Sequence, residues 1–246
     1  KKQQICDIYL LGKEDELNQL ADCHELDLHN IEIVNPATSS WTSDFANLLY
    51  QRRKHKGMSR EEAETNIQEP LYFGAAMVAA GKVDGAVAGS MATTGDVLRS
   101  ALHLIGLREG SDVVSSIFLM AMPDGSVFTY GDCGVVPYPD ESQLATIAID
   151  SAKTHRSLTQ TEPNVAMLSF STKGSARHDR INLVTDALEE VKNRNPELNI
   201  DGELQFDAAL VEDVAKRKAS GSPVAGKANV FIFPNLDAGN IGYKIT

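Results

Sequence analysis

Three clusters of side chains in this chain could hold a phosphate. The first is Arg52-Arg53-Lys54-His55-Lys56, the densest positive run in a chain whose formal charge is −11. Guanidinium groups bind phosphate through two parallel N–H donors, and Arg53 is the residue best placed to do so. The alternative is a solvated helix terminus, with the cations complementing the helix dipole. The second cluster is the small-residue loop of residues 89–96, which holds Thr93 and Thr94 and leads into a helix carrying Arg99. Small side chains let backbone N–H groups approach an anion at a helix start. The same loop also reads as a tight strand-to-helix turn capped by Asp96. It is not a G-x-x-x-x-G-K-[ST] loop, so nucleotide hydrolysis has no support. The third is Ser171-Thr172-Lys173-Gly174-Ser175, where hydroxyls and a lysine could cradle an anion or simply cap a helix.

Other chemistry is weaker. Asp201, Glu203 and Asp207 place carboxylates near one another for acid–base work or a metal, but buttressing of loops is the preferred reading. The histidines at 24, 29, 55, 103, 155 and 178 show no H-x-x-x-H spacing and read as surface or packing residues, His55 excepted for its neighbours. No G-x-S-x-G elbow is present. Cys133 lacks a visible partner base and reads as structural.

The bulk properties narrow the classes. A hydrophobic content of 42% supports a real core, and the acidic balance argues against nucleic-acid or anionic-membrane partners. Cys6, Cys23 and Cys133 form no C-x-x-C, which fits a reducing cytoplasm. No apolar run approaches the roughly 20 residues of a bilayer span, and no signal peptide is recognisable.

The elements that must position these groups alternate. Strands are expected over residues 7–11, 31–34, 85–88, 113–122, 126–130, 165–170, 202–207 and 229–233. Helices are expected over 13–20, 44–56, 60–68, 72–80, 96–105, 141–157, 180–193 and 211–218. Ser59 and Glu62 form a capping box, and Pro123-Asp124-Gly125 a hairpin turn. Alternation of this kind predicts α/β layers around a mostly parallel sheet. The candidate boundary near residues 108–111 gives domains of residues 1–108 and 109–246. Lys1 and Lys2 lead directly into the first strand, and the chain stops inside a helix-like pattern, so both ends are expected to be cut short of a natural domain.

Four words in the second half sharpen the picture: residues 169–176 (SFSTKGSA), 201–205 (DGELQ), 221–230 (GSPVAGKANV) and 240–245 (NIGYKI). Each is read as lying at or just past the end of an apolar strand, where ligands bind in open α/β sheets. Together, in this order, they resemble the phosphate acetyltransferase family, and the resemblance covers nearly the whole chain. Residues 53–57 also match the family's arginine-lysine-histidine-lysine-glycine word, and Leu98-Arg99 its leucine-arginine. Ala92, Val97 and Ser100 depart from the family's usual histidine, threonine and proline.

The resemblance implies two α/β domains with a cleft between, an architecture related to isocitrate and isopropylmalate dehydrogenases. It implies reversible acetyl transfer between coenzyme A and inorganic phosphate, by direct attack without an acyl-enzyme. Arg53 and Arg99 would be catalytic, and Thr93, Thr94, Ser171 and Lys173 would bind substrate. No cofactor or metal is implied, since coenzyme A is a substrate. The partners would be acetyl-CoA or coenzyme A and acetyl phosphate or phosphate, with no nucleic acid or membrane, in a cytoplasmic homodimer. The family's C-terminal word, which supplies the thiol base, is expected beyond residue 246. Two rivals remain: a phosphate butyryltransferase, whose relatives usually lack the 169–176 word, and a non-catalytic acetyltransferase-like module, a class that tends to lose the arginines.

Overall fold

The computed structural model describes residues 5–246; Lys1 and Lys2, read as leading into the first strand, lie outside them. The chain divides into two compact α/β units, Lys1–Gly106 and Leu107–Thr246.

In the first unit, β1 (Tyr9–Leu11) and β2 (Glu32–Val34) pair in parallel, joined by α1 (Glu14–Cys23). Then come α2 (Thr42–Arg53), a 3-10 turn at Lys54–Lys56, α3 (Arg60–Asn66), α4 (Pro70–Ala79) and α5 (Thr94–Leu104). The Ser59 capping box forms as expected: Ser59 Oγ accepts from the Glu62 amide at 3.0 Å, and Glu62 Oε2 accepts from the Ser59 amide at 2.8 Å. Proline opens α4 at its first position, where the missing N–H costs nothing. The apolar body of α4 makes the core, with Phe73 edge-on to Phe45 at 5.1 Å and Leu49, Ile67, Met77 and Leu104 closed around them.

The strand expected over residues 85–88 does not form. These residues are irregular and exposed, and Val87 stands fully in solvent. The run holds one large apolar side chain beside one glycine and two alanines, so pairing it would bury little area to offset the ordering cost.

The second unit holds a five-stranded sheet in the order β3-β4-β7-β5-β6. Its strands are β3 (Ile117–Ala121), β4 (Val127–Gly131), β5 (Val165–Leu168), β6 (Ile200–Leu204) and β7 (Val230–Ile232). β3 and β4 form the expected antiparallel hairpin, and the other pairings are parallel. The turn closes because Asp124 Oδ1 accepts from the Ser126 amide at 2.9 Å and Gly125 takes φ +87°. Alternation along buried strands feeds two faces. Val165, Met167, Val230 and Ile232 meet α6 (Glu141–Thr159) and α7 (Asp179–Arg194) through Leu144, Ile147, Val184 and Leu188. Ala166, Leu168, Phe231 and Phe233 face the opposite way, with Tyr130, Leu204 and Ala209.

Two expectations are corrected here. The polar strand lies at Ile200–Leu204 rather than 202–207, and Asp207 falls on a helix, α8 (Phe206–Leu210). Gln205 breaks the ladder and opens that helix, while Asp201 and Glu203 stay on the strand because the loop after β5 supplies their partners. Of the four words, only residues 169–176 follow a strand. The second is largely β6 itself, and the third runs past α9 (Glu212–Lys218) into β7. The fourth lies within α10 (Leu236–Ile245). Packing explains the last two. A Cβ on Gly226 would come within 2.7 Å of Glu212 Cα, and Asn240 Nδ2 donates to the Cys133 carbonyl at 3.2 Å.

Candidate active site

The first unit carries a cavity of about 430 Å³ lined by Arg53, Gly95, Leu98, Arg99, Leu102 and His103. Five of the six come from α5 at spacings of three and four, which puts them on one helical face. The sixth stands at the C-terminal end of α2.

The basic run at residues 52–56 is sorted by this geometry. Arg52 turns to the C-terminal end of α5, where its Nη1 donates to the Ile105 carbonyl at 3.4 Å. Lys54 donates to Gln51 Oε1 at 2.6 Å. Arg53 alone of the run lines the cavity, and it takes part in no ion pair among the described residues. Its Nε is buried without a hydrogen-bond partner. An orphaned donor of this kind costs about 1–3 kcal/mol and is the sort of group an anion satisfies.

Arg99 meets Asp96 at 2.7 Å, one turn back on the same helix. Both side chains are about half exposed, so the pair is weak and screened. Asp96 is held below the usual carboxylate range, first by the Thr93 hydroxyl and then by Arg99. Thr93 is the N-cap of α5: its Oγ1 accepts from the Asp96 amide at 3.2 Å and donates to Asp96 Oδ2 at 2.7 Å. Thr94 is the first residue of the helix. Thr93 therefore fixes the helix start, and Arg99 follows six residues along.

Sequence reasoning passed over one polar residue of this lining, His103, and its partner Tyr72. His103 was read as surface or packing, yet it lines the cavity, and its Nδ1 lies 3.1 Å from the Tyr72 hydroxyl. Burial pushes the His103 pKa down, with Arg53 and Arg99 pushing the same way. Burial raises the Tyr72 phenol, against the pull of the same two arginines. The available signal was spacing: His103 follows Arg99 by four residues and so shares its face.

The third cluster lies on the second unit. Lys173 and Gly174 both take left-handed backbone, at φ +49° and +81°, and fold the loop after β5 back over β6. Lys173 Nζ donates to Asp201 Oδ1 at 2.5 Å and to the Gly202 carbonyl at 2.8 Å. Ser171 is fully buried and donates to Glu203 Oε1 at 2.9 Å, which also accepts from the Gly174 amide at 2.8 Å. Thr172 Oγ1 accepts from the Gln205 amide at 2.9 Å. Two words separated by some thirty residues are thus one network. Burial pushes the Asp201 carboxyl up, but hydrogen bonds from Lys173, Ser222 and Gly202 outweigh it and hold the group below its usual range.

Cys133 is buried, and desolvation with the neighbouring Asp132 charge pushes its thiol up to about 12. A thiol so rarely ionised is a poor nucleophile. Asp132 itself accepts from the amides of Ser116, Gly134, Val135 and Val136, so it builds the loop around Cys133. Asp207 is taken by Lys218 at 2.9 Å. No group of three or more His, Cys, Asp and Glu side chains able to hold a metal ion occurs among the described residues. No helix there is long and apolar enough to cross a membrane.

Comparison with known proteins agrees with the sequence resemblance. The chain is 47% identical over 249 residues to a phosphate acetyltransferase of Thermoanaerobacterium thermosaccharolyticum, covering 99% of this chain and 75% of that one. It is 46% identical to a phosphate acetyltransferase of Acetivibrio thermocellus, covering 100% of this chain and 75% of the relative. The structure superposes on the EutD phosphotransacetylase from Staphylococcus aureus with a TM-score of 0.86 at 44% identity, covering 96% and 72% of the two chains. With the phosphate acetyl/butaryl transferase family model matching residues 1–246, the chain belongs to that family.

Proposed function

We propose that this protein is a phosphate acetyltransferase, moving an acetyl group reversibly between coenzyme A and inorganic phosphate. The observation that carries the reading is the pair of arginines on one cavity, Arg53 with a buried, unpartnered Nε, in a chain of net charge −11. Cations kept within an acidic protein are best explained by an anion that uses them. The degree of identity to named phosphate acetyltransferases supports the acetyl rather than the butyryl reaction.

The thiolate of coenzyme A attacks the carbonyl carbon of acetyl phosphate, a tetrahedral oxyanion forms, and the C–O bond to phosphate breaks as the thioester is made. Arg53 and Arg99 hold the phosphate by charge and fork geometry and take up the negative charge it gains on leaving. The amides at the start of α5, including that of Thr94 and set by the Thr93 cap, add fixed partial positive charge. Ser171 and Lys173 hold the second unit's loop in shape through Glu203 and Asp201. Holding both substrates at once accounts for much of the acceleration without a covalent intermediate. Apart from the two substrates, no cofactor is required. A homodimer in the cytoplasm remains the expectation from the family.

Release of free thiol from acetyl-CoA in the presence of phosphate, measured with the full-length protein, tests the reading. Phosphate-dependent release, faster with acetyl-CoA than with butyryl-CoA, is the expected result. Background release with both donors would reject it.

A further inference from the structure

The cavity wall holds one further polar side chain beside its arginines, His103, which is bonded to Tyr72 on the neighbouring helix. Tyr72, on α4, and His103, on α5, meet at 3.1 Å through the phenol oxygen and Nδ1. Their rings lie 5.8 Å apart, tilted at 52°. No other partner of the Tyr72 hydroxyl is present among the described residues. If Nδ1 carried the proton, the phenol would have to accept it and could give its own proton only to solvent. A protonated imidazole would place a third cation beside Arg53 and Arg99, in a partly desolvated site. The arrangement that satisfies both groups has the phenol donating to Nδ1 and the ring proton on Nε2.

We propose that Tyr72 and His103 form a neutral arm of the anion site. Tyr72 is a positioning residue that fixes the tautomer, and His103 offers Nε2–H to a phosphate group held by Arg53 and Arg99. This rests on the reading of the cavity as a phosphate site of acetyl transfer. The arm adds a directional donor without adding charge. A third donor on a rigid ring adds to the orientation that the two guanidinium forks give the phosphate.

The phosphate group could belong to the acyl phosphate or to the ribose phosphate of coenzyme A, so the test has an arm for each. In His103→Ala, KM for the phosphate-bearing substrate should rise about tenfold with kcat little changed, as expected for a lost hydrogen bond to a charged group. His103→Gln keeps an N–H near the Nε2 position and should recover most of the loss; His103→Asn, which reaches only as far as Nδ1, should not. A rise confined to acetyl phosphate assigns the acyl phosphate. A rise for coenzyme A that vanishes with coenzyme A lacking its ribose phosphate assigns that group. Either supports the proposal. Unchanged KM for all three substrates, or equal behaviour of the Gln and Asn variants, overturns it.

A second measurement needs no turnover. Imidazole nitrogen NMR should show His103 protonated on Nε2 alone, with that signal moving on titration with inorganic phosphate. Tyr72→Phe should mix the two tautomers. A proton on Nδ1 in the wild type, or no response to phosphate, overturns the proposal even in an active enzyme. A phosphate response in a protein without acetyl transfer leaves the arm standing and rejects the function assigned above.

Discussion

Arg53 and Lys173 invite the same interpretation from sequence, since each is a cation beside small or hydroxyl residues in an acidic chain. Their surroundings separate them. Arg53 stands at the end of α2 with no ion pair among the described residues and with its Nε buried and unpartnered. Lys173 is engaged by Asp201 at 2.5 Å, whose side chain is 7% exposed, and by a backbone carbonyl. In the first unit positive charge is left available on a cavity wall. In the second it is consumed in holding a loop to a strand. Arg99 lies between the two cases, paired at 2.7 Å but with an Asp96 that is about half exposed, so the pair is weak.

The sharpest test of that contrast is to remove the cations one at a time. Arg53→Ala and Arg99→Ala should each lower kcat/KM about ten- to a hundredfold, the loss of charge-assisted hydrogen bonds worth about 1.5–3 kcal/mol. Arg99→Lys should fall between, because lysine restores charge without the fork. Melting temperatures should barely move. Arg60, whose guanidinium lies 4.5 Å over the Tyr50 ring on an exposed surface, is the control: Arg60→Ala should leave the rate unchanged. Wild-type efficiency in folded Arg53→Ala and Arg99→Ala would break the comparison at its stronger end.

Lys173→Met probes the other end. It leaves Asp201 buried without its cation and should cost about 1–3 kcal/mol of stability, toward the lower figure because Lys173 is more than a third exposed. The pH dependence has a definite sign. Asp201 titrates below its usual range in the folded protein, so its contribution is present above the unfolded carboxylate pKa and is lost as pH falls through the folded one. The gap between wild type and variant, read by denaturant unfolding, should therefore be full near neutrality and shrink below about pH 4. A gap that persists in acid would mean that Lys173 acts through packing alone.

The smallest effect belongs to Thr93, which caps α5 beneath the cavity. Thr93→Ala should cost about 1 kcal/mol and loosen the helix start that aims Arg99. Thr93→Ser should restore stability. If Thr93→Ala changed KM for acetyl phosphate as much as Arg99→Ala, Thr93 would be a direct ligand rather than a cap.

Much was legible in the sequence because its causes are local. The Ser59 box, the Asp124-Gly125 turn, and the long helix with Leu144, Ile147, Ala148 and Ser151 on one side all follow from spacing within a few residues. The resemblance to the family was legible too, through words that survive in order. The strand at residues 85–88 was misread because four small or apolar residues look alike whether or not a neighbour pairs with them. The extent of β6 was misread because burial of Asp201 and Glu203 depends on Lys173, Ser171 and Gly174, about thirty residues earlier.

Sequence alone therefore determined the class of the fold, the helix carrying Arg99, and the presence of cations suited to phosphate. Tertiary structure decided which cations are still unspent. It turned Arg52 away to a helix end, left Arg53 on the cavity, paired Lys173 with Asp201, and set Tyr72 against His103. The physical reason is that charge compensation and tautomer choice depend on distances of about 3 Å between groups far apart in the chain, and no local pattern encodes those distances.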